Sequence, residues 1–175
     1  RAKRRCGSDE EGNAVDFGLV GDISGVDPGA VIDLLAAGRI PVISSIALNE
    51  DDPHGVLNIN ADAAASALAV ALKASKLLML TDVEGIYSNY PERDSLIHHT
   101  TVGELEALGD LISSGMIPKV QACTEAIRGG VGAVHVVDGR QLHSVLIEVM
   151  TDEGTGTMVI PDPRDAPAAD ANLQE

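Results

Sequence analysis

Tryptophan is absent from this chain, phenylalanine occurs once and tyrosine twice. A core without large rings must be assembled from Ala, Val, Leu and Ile, which suits helices packed closely on a sheet. Cysteine is scarce too. Cys6 and Cys123 stand far apart, with neither zinc-ligand spacing nor a disulfide framework. That usage fits a reducing compartment, so a cytoplasmic location is expected. No apolar run approaches the roughly 20 residues that span a bilayer. Arg1-Ala-Lys-Arg-Arg5 is basic but has no apolar stretch behind it, so it does not read as a secretory signal. Positive charge is the last shortage: 12 Lys and Arg face 27 Asp and Glu, for a net charge of −15. Nucleic acids and anionic membrane surfaces both require a basic face, so neither is an expected partner. Any phosphate ligand must be met by a few placed cations.

What is present is a chain of 175 residues, 45% hydrophobic, long enough for a real core. Residues 1–14 are polar and read as a flexible leader. The stretch from Ala14 to Gly25 reads as a strand or hairpin. Asp27-Pro28 pairs an N-cap residue with a proline suited to a first helical turn, so a helix is expected to about Ala37, ended by Gly38. Ile40 to Ser45 reads as a buried strand and Asn49 to Gly55 as an acidic loop. Leu77 to Leu80 is a continuous apolar run of the kind found in parallel strands covered on both faces. Thr101-Val-Gly-Glu104 has the spacing of a capping box. Helices are expected at Ile117–Arg128 and His143–Met150, and strands at Ala133–Val137 and Thr157–Ile160. Pro161 to Glu175 is rich in Pro, Ala and Asp and reads as disordered. Strands alternate with helices, which gives an α/β class with a largely parallel sheet.

Asn58-Ile-Asn-Ala-Asp62 opens the helical pattern that follows it. A helix N-terminus carries unpaired N–H groups and partial positive charge, and can receive an anion. Asn58 and Asn60 add neutral donors, while Asp62 is suited to positioning cations. The plainer reading is an ordinary Asn/Asp cap. Thr81-Asp-Val-Glu-Gly85 follows the apolar run at 77–80. Ligands of open α/β sheets sit beyond the carboxyl ends of strands, although Thr, Asp and Gly also make ordinary turns there. Lys119 follows Gly115-Met-Ile-Pro118, a turn that would bring it to a helix mouth. The bland alternative is a solvated surface lysine.

These motifs, with His143-Ser-Val-Leu-Ile-Glu-Val-Met-Thr-Asp-Glu-Gly-Thr-Gly-Thr157, resemble in order and spacing the N-acetylglutamate kinases of the amino acid kinase superfamily. The resemblance runs from about Val15 to about Ile160 and covers only the C-terminal, nucleotide-binding part of that family. It implies a three-layer αβα sandwich truncated at the N-terminus. Residues 15–57 would be the remainder of the acceptor domain, 58–160 the ATP-binding domain and 161–175 a disordered tail. It implies ATP-dependent phosphorylation of the side-chain carboxylate of N-acetyl-L-glutamate, in arginine biosynthesis. By resemblance Lys119 is catalytic and contacts the nucleotide phosphates. Asp62 is the carboxylate that organises the catalytic lysines, and Asn58 and Asn60 belong to the acceptor site. Thr81, Asp82, Val83 and Gly85 form the adenosine loop, with Tyr87 and Met116 as walls. Mg2+ is expected to ride on the ATP phosphates, with no dedicated protein metal site.

His135, Glu148 and Gly154 stand where arginine-sensitive members of the family contact L-arginine, their feedback inhibitor. A solvated Glu148 and a satisfied core His135 are the plain alternatives. The family's glycine-rich loops and second catalytic lysine have no counterpart here, and the first residue is Arg1. A fragment is therefore expected, without turnover on its own and part of a homo-oligomer when full length. Lys73 departs from the family pattern, which often has Gly at that helix end. The alternatives are another kinase of the superfamily, acting on glutamate, carbamate or a nucleoside monophosphate, or a non-catalytic nucleotide- or arginine-binding module.

Overall fold

The computed structural model describes residues 1–8, 11–113, 115–151 and 154–163. The chain divides into two compact units, one ending at Lys73 and one beginning at Ala74. Asn58 to Asp62, with the helix behind them, fall in the first unit.

The first unit runs β1 (Ala2–Ser8), β2 (Ala14–Ile23), α1 (Gly29–Ala36), β3 (Ile46–Leu48), β4 (Val56–Asn58) and α2 (Ala61–Ala71). Its sheet has the order β1-β2-β4-β3, with β2 and β4 parallel and the two outer pairings antiparallel. Residues 1–14 are thus not simply a flexible leader. Ala2 to Ser8 pair along β2, and Ala2 is fully buried. The strand is masked in the sequence because it lies at an edge, where exposed Lys3, Arg4 and Arg5 break any apolar alternation. The buried cluster of this unit is small: Ala2, Leu57 and Ile59, with Ile23, Ala47 and Ala64 against it. At α1 the cap position is Pro28, one residue later than expected, and Asp27 accepts the Gly29 N–H at 3.0 Å from just outside the helix. The buried strand expected at 40–45 does not form. Ile40 and Val42 are 92% and 96% exposed, and the ladder begins only at Ile46. A run of apolar residues signals burial only if something covers it.

The second unit runs β5 (Lys76–Thr81), β6 (Ile86–Tyr87), β7 (Leu96–Ile97), β8 (His99–Thr101), α3 (Val102–Ala107), α4 (Ile117–Arg128), β9 (Ala133–Asp138), α5 (Ser144–Met150) and β10 (Thr157–Ile160). Its main sheet has the order β5-β9-β10-β8, while β6 and β7 pair separately. β5 is parallel to β9 and β10 to β8, whereas β9 and β10 are antiparallel. The class is α/β with helices flanking the sheets, and two of the three ladders of this sheet are parallel. β9 is buried at all six positions, so both faces of it are covered. Helices α4 and α5 both pack on it. The doubly covered strand is therefore β9, not β5, which lies at the edge with Leu80 54% exposed.

The capping box at α3 is present in both directions. Thr101 Oγ1 accepts the Glu104 N–H at 3.3 Å and Glu104 Oε2 accepts the Thr101 N–H at 2.9 Å. Asp162, within the tail expected to be disordered, accepts the Gly103 N–H at 3.1 Å through Oδ2, which ties 161–163 to the start of α3. The rest of that tail, 164–175, lies outside the described residues.

Lys73, just past the end of α2, has φ of 51°. This is the left-handed region, where a Cβ meets the following carbonyl and Gly is favoured. The conformation explains why glycine suits this helix end. Lys73→Gly is expected to stabilise the first unit by about 1 kcal/mol, read as a raised urea midpoint. A lowered midpoint would contradict a strained Lys73.

Candidate functional site

The carboxyl ends of β5 and β9 lie side by side. Thr81 is the register partner of Asp138, and the Gly139 N–H donates to the Thr81 carbonyl at 2.9 Å. Chain leaving β5 turns through Asp82 to Gly85 and enters β6. Beside this turn lies the mouth of α4, with Pro118 in its first turn and Lys119 directly after. Between them is a cleft of about 230 Å³. Thr81, Asp82, Val83, Gly85, Tyr87, Met116 and Lys119 all line it, so the structure gathers every residue that the sequence reading placed around a nucleotide. The dipole of α4 makes the Lys119 end receptive to anions.

Other residues of this cleft were not singled out by the sequence. Tyr90 lines it and meets Tyr87 edge-on, with centroids 5.6 Å apart and planes at 76°. The Tyr87 hydroxyl donates to Glu84 Oε2 at 2.8 Å. Burial and the Glu84 carboxylate push that hydroxyl up to about 12, so it stays a neutral donor at physiological pH. Past the end of β9, Arg140 donates through its backbone N–H and through Nε to Asp138 Oδ1, each at 2.9 Å. The guanidinium holds the Asp138 carboxyl below its ordinary range. Neither Asp138 nor Arg140 belongs to a spacing pattern, so only the strand register brings them to this end of the sheet.

A second polar region lies along β9 and α5. Glu148 is buried, and its two oxygens are used in different directions. Oε1 pairs with Nδ1 of His135 at 2.8 Å, while Oε2 accepts the N–H groups of Thr155 at 2.7 Å and Gly156 at 2.9 Å. Burial drives this carboxyl upward, but His135 and the two backbone donors more than offset it, leaving it below its ordinary value. Two glycines make the arrangement possible. Gly154 has φ of 64°, and a Cβ there would stand 2.6 Å from Glu148 Oε2. A Cβ on Gly156 would strike the Val136 carbonyl. Glu148 is therefore no solvated helix residue, and His135 is only half satisfied. Its Nε2 is buried without a hydrogen-bond partner among the described residues. Glu148, His135 and Gly154 line a cavity of about 220 Å³ together with Lys76, His98 and His99.

Thr157 connects the two regions. Its hydroxyl accepts the Ile86 N–H at 2.8 Å and donates to the Ile97 carbonyl at 2.5 Å. It directly follows the loop that Glu148 holds. Strand β6, which lines the cleft, and the Glu148 loop thus share one buried hydroxyl.

The remaining candidates belong to the first unit. Asn60 caps α2, its Oδ1 accepting the Ala63 N–H at 3.0 Å, so the plain reading of this residue accounts for its oxygen. Asn58 ends β4 and is exposed, and Asp62 lies in the first turn of α2. Among the described residues no group of three or more His, Cys, Asp or Glu side chains is arranged to hold a metal ion. Among them, too, no helix is long and apolar enough to cross a membrane.

A model of the amino acid kinase family matches residues 3–138. Over 162 residues the chain is 59% identical to an acetylglutamate kinase of Beutenbergia cavernae, a match covering 93% of this chain and 52% of that protein. An acetylglutamate kinase of Kineococcus radiotolerans is 60% identical over 156 residues, covering 86% of this chain and 52% of that protein. The chain therefore spans about half the length of the curated relatives it matches. Among solved structures, N-acetylglutamate synthase from Neisseria gonorrhoeae, complexed with coenzyme A and L-arginine, superimposes with a TM-score of 0.79 at 26% identity. That match covers 92% of this chain and 36% of that one.

The Glu148 network carries its own pH signature. A carboxyl lowered on folding contributes stability that is full above its ordinary value of 4.5 and is lost as pH falls through its folded value. Glu148→Gln should cost about 1–3 kcal/mol at pH 7, because two buried N–H donors lose a charged acceptor. The gap between variant and wild type should close as urea unfolding is repeated at successively lower pH below 4.5. A gap independent of pH would contradict an ionised Glu148 in this network.

Proposed function

The chain belongs to the amino acid kinase family, and from that premise we propose that it is the ATP-binding part of an acetylglutamate kinase acting in the cytoplasm. The observation that carries this reading is the cleft at the carboxyl ends of β5 and β9, where the Thr81–Tyr87 segment meets the mouth of α4. The cleft's volume falls below the roughly 300–1,000 Å³ of sites that enclose a drug-sized ligand. A nucleotide would therefore seat its adenosine between Val83, Tyr87 and Met116 and extend its phosphates toward Lys119.

The chemistry asks little of the protein in covalent terms. The side-chain carboxylate of N-acetyl-L-glutamate is already ionised at neutral pH, so no general base is needed. A carboxylate oxygen attacks the γ-phosphorus, the bond to the β,γ-bridging oxygen breaks, and ADP leaves with that electron pair. The product is an acyl phosphate. Catalysis then rests on positioning and on charge placed where charge develops. Lys119 supplies that charge, helped by the α4 dipole. In the first unit, Asn58 and Asn60 are assigned to the acceptor and Asp62 to organising cationic side chains. Mg2+ would be carried mainly by the ATP phosphates, whose charge it neutralises.

A regulatory reading is favoured by a specific observation. Glu148 Oε1 lies 2.8 Å from His135 Nδ1, and a neutral imidazole with its proton on Nδ1 would present an acceptor lone pair on buried Nε2. Acceptors of this kind, in a cavity that also holds Lys76, suit a ligand with a guanidinium at one end and a carboxylate at the other. L-Arginine has both, and the similar synthase structure contains it. The active enzyme is expected to be a homo-oligomer.

Two measurements test the reading. In an enzyme completed with the unmatched half of a curated relative, acyl phosphate can be trapped with hydroxylamine and counted. Turnover should be on the order of 10 per second. Lys119→Ala should lower it roughly 10²–10³-fold, with a smaller effect on ATP affinity. A raised KM for ATP at unchanged turnover would make Lys119 a uniform binder.

For regulation, calorimetry of the chain with L-arginine should register binding. Citrulline, which lacks the charge, should bind about tenfold more weakly or worse, since a charge-assisted contact is worth roughly 1.5–3 kcal/mol. Equal affinities would remove the guanidinium from the account.

A further inference from the structure

The two cavities of the second unit meet at one side chain. Strands β6 and β7 are two residues each and form a sheet apart from the main one. Ile86 and Ile97 are register partners across it. The Thr157 hydroxyl, fully buried at the start of β10, lies across that pair: it accepts from the Ile86 N–H and donates to the Ile97 carbonyl. So short a ladder has little strength of its own. Gly85, the last residue of the turn before β6, is seated directly on this hydroxyl, and a Cβ there would stand 2.5 Å from it. Gly85, Ile86 and Tyr87 line the cleft assigned to the nucleotide. That wall of the cleft therefore takes its position from a residue outside the cleft.

What holds Thr157 lies on its other side. The preceding residue, Gly156, gives its N–H to Glu148 Oε2, as does Thr155, and the Gly154 N–H donates to Thr151 Oγ1 at 3.2 Å. The Thr155 hydroxyl is buried without a hydrogen-bond partner among the described residues, so that side chain adds no anchor. A Cβ on Gly156 would strike the Val136 carbonyl, so the chain enters β10 hard against β9. A displacement of the Glu148 loop cannot be absorbed there and is passed to Thr157. A hydroxyl whose donor and acceptor are both in use responds steeply, because hydrogen bonds weaken with lost distance and angle. A second connection exists: His135, the other partner of Glu148, is the register partner of Leu78 on β5. That ladder is continuous from Lys76 to Thr81 and yields little to a change at one side chain.

We infer that Thr157 is the positioning residue of the nucleotide turn, and that through it the state of the Glu148 loop sets nucleotide affinity. With Glu148 holding the loop, the turn is fixed in its binding geometry. A ligand that draws Glu148 away from Thr155 and Gly156 loosens the turn and weakens the nucleotide. Coupling of this kind is reciprocal, so nucleotide in the cleft tightens the Glu148 loop. The inference rests on the reading of the β5–β6 turn as the nucleotide site and adds the residue that sets its geometry.

The test is a double-mutant cycle on the whole chain, with Mg-ATP as the probe and calorimetry as the readout. Thr157→Val keeps the shape and removes the hydroxyl, whereas Thr157→Ser keeps the hydroxyl. Thr157→Val should bind Mg-ATP roughly tenfold more weakly than wild type, within the range of ordinary couplings, and Thr157→Ser about as tightly as wild type. Glu148→Gln should weaken binding about fivefold in the wild-type background and add nothing in Thr157→Val. Wild-type affinity in Thr157→Val overturns the proposal. So does a Glu148→Gln effect that persists undiminished in Thr157→Val, which would assign the route to β9. Thr157→Val also leaves the Ile86 N–H and the Ile97 carbonyl without their partner and could unfold the chain, so the wild type is read as well. Hydrogen exchange at the Thr155 and Gly156 amides should slow when Mg-ATP saturates the chain, and unchanged exchange there overturns the proposal whatever the variants do. A wild type without saturable Mg-ATP binding overturns the reading of the cleft and this proposal with it, whereas each of the other failures leaves that reading standing.

Discussion

The burial of β9 on both faces is the constraint on which the second unit depends. Six consecutive buried residues leave this strand no solvent-facing side, so helices must lie on both sides of it and strands at both edges. That placement decides where chemistry can occur. At the carboxyl end of β9 the register with β5 puts Asp138 opposite Thr81 and opens the cleft that faces α4. In the middle of β9, His135 points a ring into α5 and meets Glu148. One strand therefore positions both cavities of the unit, and Thr157, next to it on β10, ties the loop of one to the strand of the other.

The first unit is organised by the opposite circumstance. Its apolar residues outnumber the places its sheet and two helices provide to bury them. Ile40 and Val42 illustrate this: their sequence is that of a buried strand and their environment is water. Burial per residue is what separates a stable domain from a marginal one. The contrast between a well-covered β9 and an uncovered 40–48 accords with a chain that spans about half the length of its relatives.

Much of the second unit was legible in the sequence because its signals are local. The Thr101–Glu104 box, the Pro118 start and Gly129 stop of α4, and the strand at Thr157–Ile160 are each written within a few neighbouring residues. The candidate nucleotide residues came from motif order, and the fold places all seven around one cleft. Three kinds of feature were not legible. An edge strand with a charged outer rim, such as Ala2–Ser8, has no alternation to read. An apolar run such as 40–45 announces burial without saying whether its cover is present. Tertiary pairings, such as those of Glu148 with His135 and of Asp138 with Thr81, depend on strand register, which no short motif encodes. Asn60 illustrates a fourth case, where the plain reading as a helix cap and the functional one share a residue.

The central claim is that nucleotide is received where the β5–β6 turn meets the mouth of α4. Amide chemical-shift mapping of the isotope-labelled chain during titration with Mg-ATP tests it most directly. The account predicts shifts concentrated at Val83 to Tyr87 and at Gly115 to Lys119, saturating together, with a smaller response carried through Ile86 to Thr157. Shifts confined to β1 and β2, or no saturable response at millimolar ATP, would contradict it.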